Sequence, residues 1–242
     1  MSGTRASLGT LPSDRLVFPL DVSTLDGAVE LIDLLHAEVG VFKVGLELFT
    51  SIGPDAVRAV HARGRRTFLD IKLHDIPATV QGAVEAALRL DCAFLTVHAA
   101  AGPETLRAAA RVAAGTDLEL LAVTVLTSFD DDALATIGLQ GPIPQAVMRM
   151  AKLAVACGVR GLVCAPSECA ALRAEFGSEV LLVTPGIRPA GSPHHDQRRV
   201  ATPTAALEAG ADLVVVGRPI RDAAEPRAAA ESVVQEIARA LS

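Results

Sequence analysis

The 242-residue chain has no tryptophan and no tyrosine, and its aromatic complement is seven phenylalanines. Intrinsic fluorescence is therefore nearly silent, and ligand titrations need another probe. Basic charge is also in short supply. Lys and Arg number 22 against 28 Asp and Glu, a net charge of −6 and a pI near 5.5. This balance argues against generic nucleic-acid binding, which needs a basic face. It leaves room for a small anion in a locally positive pocket. The four cysteines, Cys92, Cys157, Cys164 and Cys169, show no CxxC spacing, so zinc is not expected and buried, reduced thiols are. No apolar run reaches the roughly 18 residues of a membrane span. The first fifteen residues lack the apolar core of a secretory signal. A cytoplasmic protein without membrane contact is the expectation. A dinucleotide fingerprint is missing too: the first apolar run leads into Leu20-Asp-Val-Ser-Thr-Leu25 rather than a Gly-rich turn.

What is present is apolar and alternating. Half the residues are apolar, enough for a sizeable core. Strand-like runs fall at residues 16–22, 41–46, 67–73, 93–98, 118–126, 161–165, 180–184 and 212–217. Most are apolar on both faces, as in a parallel sheet covered on both sides. Helical periodicity occupies 25–38, 78–90, 103–114, 144–157, 167–176, 203–209 and 226–241. Pro or Ser stands at plausible helix starts in Gly53-Pro54, Gly102-Pro103 and Pro166-Ser167. Eight βα units in a chain of this length predict a single-domain α/β fold, a (β/α)₈ TIM barrel over residues 14–242. A doubly wound sheet is the alternative. Residues 1–13, rich in Ser, Gly and Thr, read as a loose tail. One local conflict stands out. Pro19 lies inside the first strand-like run, where it cannot donate to a ladder, so a bulge or an interruption of pairing is expected there.

The densest chemistry lies in Phe68-Leu-Asp-Ile-Lys-Leu-His-Asp-Ile-Pro77. Strand side chains alternate faces, so Asp70 and Lys72 are expected on one side. Buried charges need each other or a charged ligand, and Asp75 adds a second carboxylate close by. An active site or a structural ion pair would each account for this segment. Strand ends elsewhere add candidates at the end of a barrel where catalytic residues collect. They are Asp21, Lys43, His98, Thr127-Ser128, the run Thr184-Pro185-Gly186-Ile187-Arg188, and Gly217-Arg218. Singly, Asp21 could cap a helix, His98 could be a core histidine, and Ser128 could cap the Asp-rich turn after Phe129. Convergence of two lysines and three acids at one barrel mouth favours function. The last two strand ends suggest phosphate binding, with Gly186 and Gly217 allowing close backbone approach and Arg218 offering a planar fork. The loop over residues 186–199 reads as a lid.

These pieces resemble, in order, the orotidine 5′-phosphate decarboxylase family of the prokaryotic type. Asp70-x-Lys72-x-x-Asp75-Ile-Pro followed by Thr79 is the core signature. Leu20-Asp21, Lys43-Val-Gly45, Thr127-Ser128, Thr184-Pro-Gly-Ile-Arg188-Pro, Asp196-Gln197-Arg198-Arg199 and Val216-Gly-Arg218-Pro match its other elements. The resemblance covers roughly residues 14–235 and implies a cofactor-free, metal-free carboxy-lyase that turns orotidine 5′-phosphate into UMP and CO₂ in pyrimidine biosynthesis. It implies that Lys72 stabilises and protonates a carbanion at pyrimidine C6, with Asp70, Lys43 and Asp75 completing a charge network. Asp21 would bind the ribose and Ser128 the pyrimidine edge. Pro185, Gly186, Arg188, Gln197, Gly217 and Arg218 would line the phosphate end. The resemblance also implies a homodimer in which Asp75 and Thr79 act across the interface. Competing readings are a metal-dependent sugar-phosphate decarboxylase or aldolase, for which Glu47 is the candidate extra carboxylate, and a non-catalytic phosphate-binding barrel.

Overall fold

Residues 8–189 and 201–242 are described in the computed structural model. Among them, eight parallel strands close on one another in sequence order: β1 (Leu16–Pro19), β2 (Val41–Gly45), β3 (Arg66–Leu73), β4 (Phe94–His98), β5 (Glu119–Val123), β6 (Gly161–Val163), β7 (Leu181–Thr184) and β8 (Leu213–Val215). The barrel expected from the sequence is present, and the dinucleotide-type sheet is not. Helices α1 (Leu25–Leu35), α2 (Leu46–Ile52), α3 (Pro54–His61), α4 (Pro77–Arg89), α5 (Pro103–Ala113), α6 (Asp131–Thr136), α7 (Ile143–Ala156), α8 (Cys169–Phe176), α9 (Pro203–Glu208), α10 (Arg218–Arg221) and α11 (Pro226–Leu241) accompany the strands.

The helix starts follow local chemistry. Thr24, Asp130 and Thr202 accept hydrogen bonds from the backbone N–H three residues on, capping α1, α6 and α9. Pro54, Pro77, Pro103, Pro203 and Pro226 occupy first-turn positions, where a missing N–H does no harm. Five of the strands, β1, β2, β5, β6 and β8, end earlier than their apolar runs suggest, whereas β3, β4 and β7 end where expected. Strand five ends at Val123 rather than Leu126, and the first ends at Pro19 rather than Val22. There the chain has left the ladder and begun to line the barrel mouth.

Pairing parity separates two cores. Val17, Val41, Phe68, Phe94, Leu121, Leu181 and Leu213 point inward and pack together as an apolar plug. Their neighbours Leu16, Phe18, Phe42, Leu69, Leu95, Leu162, Leu182 and Val214 point outward and pack with buried helix residues such as Ile32, Val84, Ala151 and Ile237. This explains why both faces of each strand are apolar. Phe68 and Phe94 meet edge to face inside, 6.1 Å between centroids, and Arg66 lies 4.8 Å over the Phe94 ring at the N-terminal end.

Pro19 makes no bulge. It pairs in register with Lys43, and Leu20 N–H donates to the Lys43 carbonyl at 2.9 Å. On the other side, β1 pairs with β8 only as far as Val17 opposite Val215. Alternate residues of a parallel strand face alternate neighbours, so the missing N–H points to where that ladder has already ended. Residues 1–7 of the expected tail lie outside the described residues. From Leu8 onward the chain is packed: Leu8 is buried against the plug, and Gly40 N–H donates to the Ser13 carbonyl at 3.0 Å.

Candidate active site at the barrel mouth

Two residues beyond the plug, the inward positions of β1 to β4 become Pro19, Lys43, Asp70 and Thr96. The charged groups therefore stand directly on an apolar floor, which Phe68, Val123, Val163, Val183 and Val215 complete. Above it opens a cavity of about 410 Å³ at the C-terminal end of the strands.

Four of the expected charges form a continuous chain along one wall. Lys72 Nζ donates to Asp70 Oδ1 at 2.8 Å, Lys43 Nζ lies 3.4 Å from Asp70 Oδ2, and Asp21 Oδ1 lies 3.8 Å from Lys43 Nζ. Asp70 is 9 % exposed. Burial pushes its carboxyl upward, but the charges of Lys43 and Lys72 and the hydrogen bonds from Lys72 and Thr96 outweigh this and hold it below the ordinary value. Asp70 thus stays ionised between two ammonium groups. Thr96 is fully buried, and its hydroxyl serves both partners, donating to Asp70 Oδ1 at 3.1 Å and accepting from Lys72 N–H at 2.9 Å.

Asp70 and Lys72 do share a side, but regular pleating is not the reason. Leu69 faces Leu95 and Leu73 faces Val97, so β3 advances four residues while β4 advances two. Lys72 sits in this irregularity at φ +49°, a left-handed conformation unusual for a side-chain-bearing residue. The turn of the backbone aims the ammonium back at Asp70.

The wall continues past β1 into β8 and β7. Pro185, Gly186 and Arg188 line it, with Gly217, Arg218 and Arg221 beside them. Gly186 takes φ +81°, open to glycine at little strain. Gly217 is required by contact: a Cβ there would lie 2.8 Å from Pro19 Cγ. Arg188 is buried, and a bridge between Ile187 and Ala201 fixes the base of this wall, with Arg188 N–H donating to the Ala201 carbonyl at 2.8 Å.

Other expected residues lie elsewhere. Asp75 is exposed, its Oδ1 accepts from Ile76 N–H at 2.6 Å, and it borders a separate shallow depression with His74, Pro77 and Thr105. Thr79 is exposed on α4. Within a single chain neither reaches the cavity. Ser128 is exposed just past the lining residues Val125, Leu126 and Thr127. Gln197 and most of the expected lid lie outside the described residues. Glu47 is exposed on α2 and does not line the cavity. His98 stacks on His74, centroids 5.1 Å apart, and burial first, then the neighbouring charges of His74 and Lys72, hold it below the usual histidine range.

Sequence reasoning missed Thr96 and Arg221. Thr96 is the lone hydroxyl within Phe94-Leu-Thr-Val-His98, at inward parity, which was a usable signal. Arg221 lines the cavity three residues after Arg218, and its Nη1 donates to the Asp21 carbonyl at 3.4 Å.

Comparison with known proteins gives the chain's family. The family model described as "Orotidine 5'-phosphate decarboxylase / HUMPS family" matches residues 14–233. The orotidine 5′-phosphate decarboxylase of Anaeromyxobacter sp. (strain K) is 54 % identical over 222 residues, 92 % of this chain and 97 % of that protein. That of Thermobifida fusca (strain YX) is 52 % identical over 219 residues, 90 % and 93 % of the two chains. Among solved structures, the orotidine 5′-phosphate decarboxylase of Lactobacillus acidophilus superposes with a TM-score of 0.82 at 36 % identity, covering 92 % of this chain and 98 % of that one.

Proposed function

Because the chain belongs to the orotidine 5′-phosphate decarboxylase / HUMPS family, we propose that it converts orotidine 5′-phosphate to UMP and CO₂, a step of pyrimidine biosynthesis, in the cytoplasm. The observation that carries this reading is the chain Lys72–Asp70–Lys43–Asp21 on an apolar floor, lining one cavity together with an arginine-bearing wall.

The reaction breaks the bond from pyrimidine C6 to its carboxylate and leaves the electron pair on C6. Lys72 meets that developing charge with an ammonium and then delivers its proton to C6. Asp70 fixes the direction of Lys72 and places its own negative charge beside the departing carboxylate. This disfavours the bound substrate relative to the transition state, where that carboxylate charge is leaving. Lys43 offsets Asp70 from the other side, so Lys72 is not neutralised by sole pairing. The scheme invokes no cofactor and no metal.

The substrate's phosphate would lie at the β7–β8 wall, held by Arg218, the Gly217 backbone and Gln197, with Pro185, Gly186 and Arg188 shaping the wall. Binding at that remote group helps to organise the reacting centre. Asp21, half exposed at the rim, would bind the ribose. The turn at Thr127 and Ser128 would meet the pyrimidine edge. Asp75 and Thr79 would serve the cavity of a second subunit in a homodimer, which accounts for their position on an exposed face next to Ile76.

The deciding experiment follows the ultraviolet absorbance of orotidine 5′-phosphate with the purified protein, with and without EDTA. Conversion to UMP unaffected by EDTA is expected. No conversion by folded dimer would overturn the assignment, and conversion abolished by EDTA would overturn the metal-free scheme.

A further inference from the structure

Two of the four cysteines are neighbours in space as well as in sequence. Cys164 follows the end of β6 and Cys169 opens α8, joined by Ala165-Pro-Ser-Glu168. Their sulfurs lie 3.7 Å apart, and both are buried. The connection is held tight, because Ala165 N–H donates to Glu168 Oε2 at 2.7 Å, a capping interaction that fixes the turn between them. The Thr184 hydroxyl at the end of β7 lies 3.2 Å from Cys169 Sγ and 3.9 Å from Cys164 Sγ. Cys164 borders the substrate cavity, whereas Cys169 stands behind it. The other two cysteines share none of this. Cys92 and Cys157 have no sulfur partner, and burial pushes the Cys92 thiol up to about 12.

We propose that Cys164 and Cys169 form a reversible disulfide with a small peroxide that enters through the cavity, and that this modification lowers the activity assigned above. The sequence of steps balances. The Cys164 thiolate attacks one oxygen of hydrogen peroxide, the O–O bond breaks, and the departing hydroxide takes the thiol's proton as water, leaving a sulfenic acid. The Cys169 thiolate then attacks the Cys164 sulfur, the S–O bond breaks, and hydroxide leaves with the proton of Cys169 as a second water. Two thiols lose two electrons in total, and one peroxide becomes two waters.

The surroundings assign the order. The hydrogen bond between the sulfurs holds the Cys164 thiol above its ordinary range and favours the thiolate at Cys169, which the Thr184 hydroxyl and the charge of Arg173 also favour. Access decides which sulfur reacts first: of the two, Cys164 lines the cavity through which peroxide enters, so it takes the first step although its thiol is the harder to ionise, and Cys169 behind it resolves. Closing the sulfurs from 3.7 Å to about 2.05 Å draws the end of β6 toward α8. That displaces the wall between Val163 and Pro185, the side of the cavity next to the proposed phosphate site.

The test treats the purified protein with hydrogen peroxide, then maps thiols by mass spectrometry after alkylation and measures turnover before oxidation, after it, and after reduction with dithiothreitol. The expected result is a Cys164–Cys169 crosslink, two of the four thiols lost, turnover reduced severalfold, and recovery on reduction. Inorganic phosphate at saturating concentration should slow crosslinking by filling the entry route. Cys169→Ser should lose the reversible inactivation, and Cys92→Ser should retain it. Thiols that all stay reduced, a crosslink elsewhere, or a Cys164–Cys169 crosslink with unchanged turnover would each overturn the proposal. The inactivation half rests on the decarboxylase reading. If the untreated protein has no turnover, that reading fails by itself, while the crosslink map still decides whether the pair is oxidised.

Discussion

Thr96→Val is the most informative single change, because it alters nothing that touches substrate and keeps the shape of the side chain. The hydroxyl it removes makes two interactions, one to Asp70 Oδ1 and one from Lys72 N–H. A hydrogen bond to a charged group contributes roughly 1.5–3 kcal/mol, and an orphaned buried N–H costs about 1–3 kcal/mol. The second loss falls on a residue already held at φ +49°, so the backbone that aims Lys72 loses its tether. A misplacement of about 1 Å at a reacting group can lower rate on the order of a hundredfold. The expected outcome is a kcat reduced by about ten- to a hundredfold, since each ~1.4 kcal/mol is a factor of ten, with little change in KM because the phosphate wall is untouched. Asp70 also loses one of the interactions that hold its carboxyl down, so the acidic limb of the kcat profile should move to higher pH. Thr96→Ser restores the hydroxyl and should restore most of kcat. The assay is steady-state absorbance across pH, with urea unfolding followed by circular dichroism. A folded Val variant with kcat within about twofold of the parent would refute the tether argument.

Lys72→Ala should lower kcat by several orders of magnitude while phosphate-ligand binding, read by calorimetry, persists; near-normal turnover would remove Lys72 as proton donor. Arg218→Ala should raise KM with a smaller fall in kcat, and an unchanged KM would count against the proposed phosphate site. Glu119 lies at the opposite, N-terminal end of the barrel, where burial pushes its carboxyl up to about 7 against the weaker pull of Arg160. An acid whose folded value is raised contributes no penalty below its ordinary 4.5 and a growing one as pH rises to about 7. Stability should fall across that window, and Glu119→Gln should gain up to about 3 kcal/mol at pH 8 and almost nothing near pH 4.5, by urea unfolding. Equal gains at both values would refute the assignment of the titration to Glu119.

The barrel was legible because its strands are buried on both faces, and continuous runs such as Phe68–Leu69 and Leu181–Thr184 leave few alternatives. The short helix α2 and its neighbour α3 were less so. Gly53 at φ +72° separates them, and seven residues carry too little periodicity to declare a helix. The charges of the mouth were legible as types, since Asp21, Lys43, Asp70 and Lys72 all fall at the C-terminal ends of successive strand-like runs. Their connection through Thr96 was only half legible: alternation gives its inward parity, but its place beside Asp70 is set by the pairing of Phe68 with Phe94 and Leu69 with Leu95, which a single sequence does not state, and its bond to Lys72 N–H by the irregularity that follows. The separation of Asp75 from Lys72 within one chain has the same origin: past the irregularity, the backbone has left the barrel wall.

The surplus length of β3 also sets how portable this site is. Copying Asp21, Lys43, Asp70, Lys72 and Thr96 onto another eight-stranded barrel with evenly advancing strands would reproduce the inventory and lose the arrangement, because Lys72 would obey the pleat instead of turning back. The minimal transferable unit is therefore a backbone detour with its supporting hydroxyl, and a graft that left it behind would hold all five side chains and no assembled centre.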